Sequence, residues 1–314
     1  MRTLAVVGLI LITSPNCSPF SFTLSSLKEA TTPSRSSSSS SGGSSTSSVG
    51  QQSPSALYAH QFWRKKRTKA EVELHVRDCL DGVEFCNLEA TVEVISAEPP
   101  LVVIHDFLSK SMCRDIIETA IHNPNMKPST TGEENKSTTS RTSSTVWLRD
   151  DDCQGPLRLI ADKVSSISGL PPSYMENLQV VRYEPGQEFK LHTDHQDSFN
   201  ELDCRGRLAT CLLYLSEPES GGETWFPGLG TANGQDVEPK IAPTQGSAVF
   251  FWNTVEKPGS PGYDPNMFLN VDLQLRHAGL PVGSGEKWIC NRWIHPVEMG
   301  LGVRGTKEPV QATI

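Results

Sequence analysis

Three things are scarce in this 314-residue sequence. None of its eight cysteines forms a Cys-x-x-Cys pair, which removes the usual spacing of zinc ribbons and thioredoxin-like redox sites. Positive charge is short: the formal net charge is -8, which argues against a nucleic-acid partner held by bulk electrostatics. Long apolar runs are short as well. The N-terminal stretch Leu4 to Ile12 falls below the ~20 apolar residues of a comfortable membrane span.

That stretch follows Arg2 and precedes small residues, so residues 1–25 read as a signal peptide, with an uncleaved membrane anchor as the alternative. No acidic residue lies between Arg2 and Lys28 while Ser and Thr abound, which also suits transit to a plastid or other organelle. Entry into the secretory pathway, with the endoplasmic reticulum as destination, is the expectation. The sequon Asn135-Lys136-Ser137 is consistent with it. Disulfides are expected among Cys79, Cys86, Cys153 and Cys204, whereas Cys211 and Cys290 read as core thiols.

Hydrophobic residues make up 36% of the chain, and the deficit lies in its first third. Residues 26–70 are expected to be a Ser-rich disordered linker that cannot bury enough apolar surface to offset its conformational entropy. The basic run Arg64 to Lys69 at its edge reads as solvated. A globular domain is expected over 71–300 and a tail over 301–314. Leu101 to His105 reads as a strand, and Ser109 opens a helix carrying Met112, Ile116, Ile117 and Ala120. Asn123 to Thr145 reads as a long mobile loop, and Pro156 to Ser168 as a second helix closed by Gly169. Five short apolar runs follow, Leu178–Tyr183, Glu188–Asp194, Leu208–Leu215, Ser247–Trp252 and Lys287–Ile294, separated by Gly- and Pro-rich turns. The fold class is therefore mainly β with flanking helices, a sandwich or barrel.

Two His-x-Asp pairs occur, His192-Thr193-Asp194 and His195-Gln196-Asp197. Residues two apart on a strand share a face, so either pair could reach one ion. The first ends a strand-like run while the second enters a polar stretch, and a ligand pair benefits from rigid backbone. With His277 as third ligand, His192 and Asp194 make the two-His, one-carboxylate set that leaves open positions on Fe(II).

The blocks around these residues resemble the prolyl 4-hydroxylase α-subunit type of Fe(II)/2-oxoglutarate dioxygenase. They are Val180 to Gln187 with Lys190 to Asp194, then Arg207 to Leu215, Gly221 to Pro227, Arg276 to Val282, Gly285 to Trp288 and Arg292 to His295. The resemblance spans about Pro100 to Pro296 and implies a double-stranded β-helix (jelly-roll) core over about 176–296. It puts iron on His192, Asp194 and His277. It puts the distal carboxylate of 2-oxoglutarate on Lys287, with Tyr183 and Thr224 bonding the same end. It assigns Arg207, His295 and Arg141 more weakly to a peptide substrate. Phe189 departs from the pattern, standing where the family often has a tyrosine. The segments Ala232 to Glu238 and Pro258 to Gly262 depart from it by length.

The implied activity is hydroxylation of peptidyl proline to 4-hydroxyproline, with Fe(II), 2-oxoglutarate, O2 and L-ascorbate, releasing succinate and CO2. Two alternatives stand beside it. One is the same chemistry on another protein residue or a small molecule; the other is a non-catalytic binding domain of the same fold.

Overall fold

The computed structural model describes residues 62–81, 83, 90–129, 140–150, 155–195, 206–229, 238–255, 270–296 and 298–299. The expected N-terminal segment, most of the linker, the tail, Cys86, Cys153, Cys204, Asp197 and the sequon lie outside them, as do nearly all of the Ala232 to Glu238 segment and the Pro258 to Gly262 loop. Cys79 is a free thiol, and Cys211 and Cys290 are buried free thiols.

Order reaches further back than Glu71. Phe62 and Trp63, inside the expected linker, are buried, and Trp63 Nε1 donates to Ile167 O at 2.7 Å. Helix α1 (Lys69–Asp81) then buries Val72, His75, Val76 and Leu80 at helical spacing. Helix α2 (Lys110–Ile121) starts where Ser109 Oγ accepts from Met112 N at 3.2 Å. Helix α3 (Pro156–Ser168) begins on a proline and ends at Gly169, whose φ of 74° is the left-handed C-cap that glycine takes without strain.

The larger sheet has eight strands in the order β1 (Val92–Ala97), β2 (Pro100–Ile104), β11 (Ala248–Trp252), β7 (Ala209–Tyr214), β16 (Lys287–Ile294), β5 (Leu178–Tyr183), β4 (Ser144–Leu148), β3 (Lys127–Pro128). The smaller sheet runs β10 (Lys240–Ile241), β9 (Thr224–Trp225), β14 (His277–Gly279), β6 (Phe189–His192). Two short pairs complete the strands, β8 (Ser220–Gly221) with β15 (Val282–Ser284), and β12 (Thr254–Val255) with β13 (Asn270–Val271). The loop expected over Asn123–Thr145 is partly strand: Lys127 and Pro128 pair with Thr145 and Ser144 at the sheet edge. Residues 130–139 of that loop lie outside the description.

Side-chain alternation divides the two faces of the large sheet. Val102, Ile104, Leu178, Val180, Cys211, Leu213, Phe250 and Cys290 join Leu157, Ile160, Val164 and the other helix residues in one core. Their neighbours in sequence, Leu101, Val103, Val181, Tyr183, Leu212, Tyr214, Phe251 and Ile289, join Phe226, Leu229, Ile241, Leu275 and Val282 in a second core. This second core lies between the two sheets, as in a jelly roll, and it places the site.

Candidate metal centre

His192 closes β6 and His277 opens β14, and antiparallel pairing sets them directly opposite each other. Asp194 lies two residues beyond the end of β6, in a bend. The expected shared strand face therefore carries His192 but stops short of the carboxylate. The three side chains nonetheless converge: one ligand atom from each lies within 4.8 Å of the others. Asp194 Oδ1 is 3.4 Å from His192 Nε2, and Oδ2 is 3.7 Å from His277 Nε2.

The backbone sets the tautomers. His192 Nδ1 donates to Lys190 O at 2.8 Å, and His277 Nδ1 donates to Leu275 O at 3.0 Å. Each imidazole therefore turns an Nε2 lone pair to the common point. Burial and the neighbouring His192 push His277 down to about 4, which keeps it a neutral ligand at physiological pH. Burial alone would raise the Asp194 carboxyl, but His277 and His192 outweigh it and hold the group well below the usual carboxylate range. Phe226 and Phe251 flank His277 at centroid distances of 5.3 and 5.1 Å, and Phe189 stacks on His192 at 3.6 Å.

An open cavity reaches this triad. Lys287 opposes Tyr183 in the β5–β16 ladder, and both line the cavity. Burial pushes the Lys287 amine down to about 8, partly offset by Glu223 at longer range. Among the described residues none forms an ion pair with Lys287, which is 2% exposed. A buried ammonium of this kind calls for an anion from outside the chain. Thr224 lies near it in the lining, and its Oγ1 accepts from Tyr214 Oη at 2.8 Å. With that lone pair filled, the Thr224 proton is available to a ligand.

Of the residues expected to face a peptide, only Arg141 lines the cavity. It donates to Ser143 Oγ and Gln179 Oε1 at 3.2 Å each, and its guanidinium lies 4.8 Å from the Phe189 ring. Arg207 and His295 are not brought to this cavity. Both turn to Glu176: Arg207 donates at 2.6 and 3.0 Å, and His295 Nε2 lies 2.8 Å from Oε1. Glu176 is 1% exposed; burial would raise its carboxyl, but Arg207 and His295 bring it down to about 2. Sequence reasoning missed Glu176, Thr210 and Asn253. Alternation along β7 did signal Thr210, which falls on the same face as Leu212 and Tyr214; Glu176 sits in irregular chain, where no period marks it.

The donor set fits Fe(II) with a 2-oxoacid: two imidazoles, one carboxylate, no thiolate, and the buried Lys287 amine in the same cavity. His192, Asp194 and His277 would hold the metal, and Lys287 with Thr224 and Tyr183 the far carboxylate. Bound there, iron, 2-oxoglutarate and O2 supply C–H hydroxylation coupled to release of succinate and CO2. The chain's own part is to place the two ends of the cosubstrate, keep the His277 imidazole neutral and line the cavity with apolar side chains.

Comparison with known proteins agrees. Residues 178–295 match the model of the 2OG-Fe(II) oxygenase superfamily. The chain is 35% identical to prolyl 4-hydroxylase 5 of Arabidopsis thaliana over 68% of its own length and 74% of the relative's. It is 36% identical to prolyl 4-hydroxylase 1 of the same plant, over 64% and 71%. Among solved structures it is similar to the viral collagen prolyl hydroxylase of Paramecium Bursaria Chlorella virus-1 in complex with 2OG. That match has 31% identity and a TM-score of 0.48, and covers 63% of this chain and 96% of the other. The chain belongs to the prolyl 4-hydroxylase family of 2OG-Fe(II) oxygenases, and it is a 2-oxoglutarate-dependent dioxygenase.

Proposed function

We propose that the protein hydroxylates peptidyl proline at C4, consuming 2-oxoglutarate and O2 and releasing succinate and CO2, in proteins of the secretory route. The observation that carries the reading is one cavity joining the His192–Asp194–His277 triad to the buried Lys287 ammonium, which forms no ion pair among the described residues. The names of the relatives support proline as the target. So do the walls: Phe189, Leu212, Ile289 and Trp293 offer an apolar seat for a pyrrolidine ring, and Arg141 a donor for a peptide carbonyl. Ascorbate is expected to keep the iron ferrous when turnover uncouples. The apolar stretch after Arg2 supports delivery to the endoplasmic reticulum, by cleaved signal or by membrane anchor, with plastid targeting as the competing address.

The test is succinate formation with Fe(II), with and without a proline-rich peptide, and mass spectrometry for one added oxygen on proline. Turnover indifferent to proline peptides would favour another residue or a small molecule. Absence of both turnover and metal binding would favour a binding domain. A fluorescent fusion of the first 70 residues distinguishes the addresses.

A further inference from the structure

We propose that Thr210 and Trp293 are positioning residues that commit Asp194 to bind metal through Oδ1 alone. The inference rests on the iron-site reading above and concerns the side chains behind it. Thr210 Oγ1 lies 2.8 Å from Asp194 Oδ2, and Trp293 Nε1 lies 3.1 Å from the same oxygen. A carboxylate oxygen has two in-plane lone pairs, so two donors fill Oδ2 and leave Oδ1 as the free ligand. Thr210 is fully buried and Trp293 is 4% exposed, so no bulk water competes for these bonds.

Each donor is held from behind. Asn253 Nδ2 donates to Thr210 Oγ1 at 2.9 Å. Asn253 Oδ1 lies 3.2 Å from that hydroxyl, but its one proton goes to the closer, charged acceptor on Asp194. On the other side, the Arg207 guanidinium lies 3.4 Å from the centre of the Trp293 ring, and Arg207 is clamped by Glu176. The buried Glu176–Arg207 pair thereby fixes the plane of the indole that orients the metal ligand. Strand alternation supplies both donors, because Thr210 on β7 and Trp293 on β16 are register partners.

The test is Co(II) affinity of the full-length apoprotein, by calorimetry and the visible spectrum of the bound ion, beside the thermal midpoint of the apoprotein. Thr210→Val keeps the shape and removes the donor; Trp293→Phe removes the donor on the other side and keeps an aromatic, though smaller, ring. Each is expected to weaken Co(II) about 10–100-fold, the usual worth of groups that orient a metal ligand, and Thr210→Ser to restore most of the affinity. Trp293→Phe is the independent arm should Thr210→Val fold poorly. Wild-type affinity in a folded Thr210→Val or Trp293→Phe protein would overturn the inference while leaving the metal centre intact. Failure of the wild type itself to bind Co(II) would overturn the metal centre and this inference with it.

Discussion

His192 and His277 are register partners across the β6–β14 ladder, with ring centroids 4.4 Å apart. Two of three metal ligands are thus placed by one pair of strands, and each Nδ1–H is anchored to the carbonyl two residues before it. A site fixed this way tolerates no loss of a ligand. His277→Ala and Asp194→Ala are expected to weaken metal binding by more than about 100-fold, since the groups that merely orient ligands are worth about 10–100-fold, and to abolish succinate formation. Asp197→Ala, in the duplicate His-x-Asp pair, is expected to keep most of the turnover. Equal losses at Asp194 and Asp197 would refute the choice of register.

Lys287 gives a pH-dependent prediction. One charge-assisted hydrogen bond to a carboxylate is worth about 1.5–3 kcal/mol, so Lys287→Met should raise the KM for 2-oxoglutarate about 10- to 150-fold. Burial, partly offset by Glu223, brings the amine to about 8, and a bound anion favours its charged form. Wild-type affinity for 2-oxoglutarate should therefore decline as pH rises past about 8, toward tenfold per pH unit, and Lys287→Met should show no such slope. For the apoprotein the sign is opposite. Between about 8 and the ordinary 10.5 the unfolded chain holds more protons, so this group favours folding more as pH rises through that window. Calorimetric binding and thermal midpoints across pH check both signs.

The Glu176–Arg207–His295 cluster makes a prediction about stability. Removing Glu176 takes from the buried Arg207 guanidinium its carboxylate partner at 2.6 Å, and breaking a buried pair costs about 3–5 kcal/mol. Glu176→Gln should thus lower the thermal midpoint by about 10 °C, at 2–4 °C per kcal/mol for a domain of this size. Since the folded carboxyl is held near 2, below its ordinary 4.5, its contribution is complete above about pH 4.5 and fades as pH falls toward 2. The wild-type and Glu176→Gln midpoints should converge along that descent.

Much of this was legible in the sequence, for reasons that differ by element. Strand β16 matches the run Lys287–Ile294, and helix α3 matches Pro156–Ser168, because period and punctuation agree there. The metal ligands were legible because ligation demands particular residue types at rigid positions. Helix α1 was not, although Val72, Val76 and Leu80 carry the period: the basic run beside it and the serine tract before it look like solvated chain, and only the packing of Phe62 and Trp63 shows otherwise. Arg207 and His295 were placed at the substrate by resemblance, whereas their partner Glu176 is met through long-range pairing that no local pattern records. Asp194 lies past its strand for a related reason, since the hydroxyl and indole that hold it come from β7 and β16.

Phe189 carries the last prediction. Its ring lies between the Arg141 guanidinium and the His192 imidazole, at 4.8 and 3.6 Å, so it is part of the wall nearest the metal. It is also where the family pattern often has a tyrosine. Phe189→Tyr adds a hydroxyl at the ring edge, away from both stacked faces, so the stack and the metal site should survive. One neutral hydrogen bond is worth about 0.5–1.5 kcal/mol, so the KM for a proline peptide should fall about 2- to 12-fold if substrate passes this edge. The KM for 2-oxoglutarate should stay the same, because Lys287 and Thr224 bind its far end elsewhere in the cavity. Phe189→Ala should instead loosen both His192 and Arg141, weakening Co(II) and peptide together. A Phe189→Tyr enzyme with unchanged peptide kinetics would mean that substrate does not approach along this wall, and that the wall serves only to brace His192.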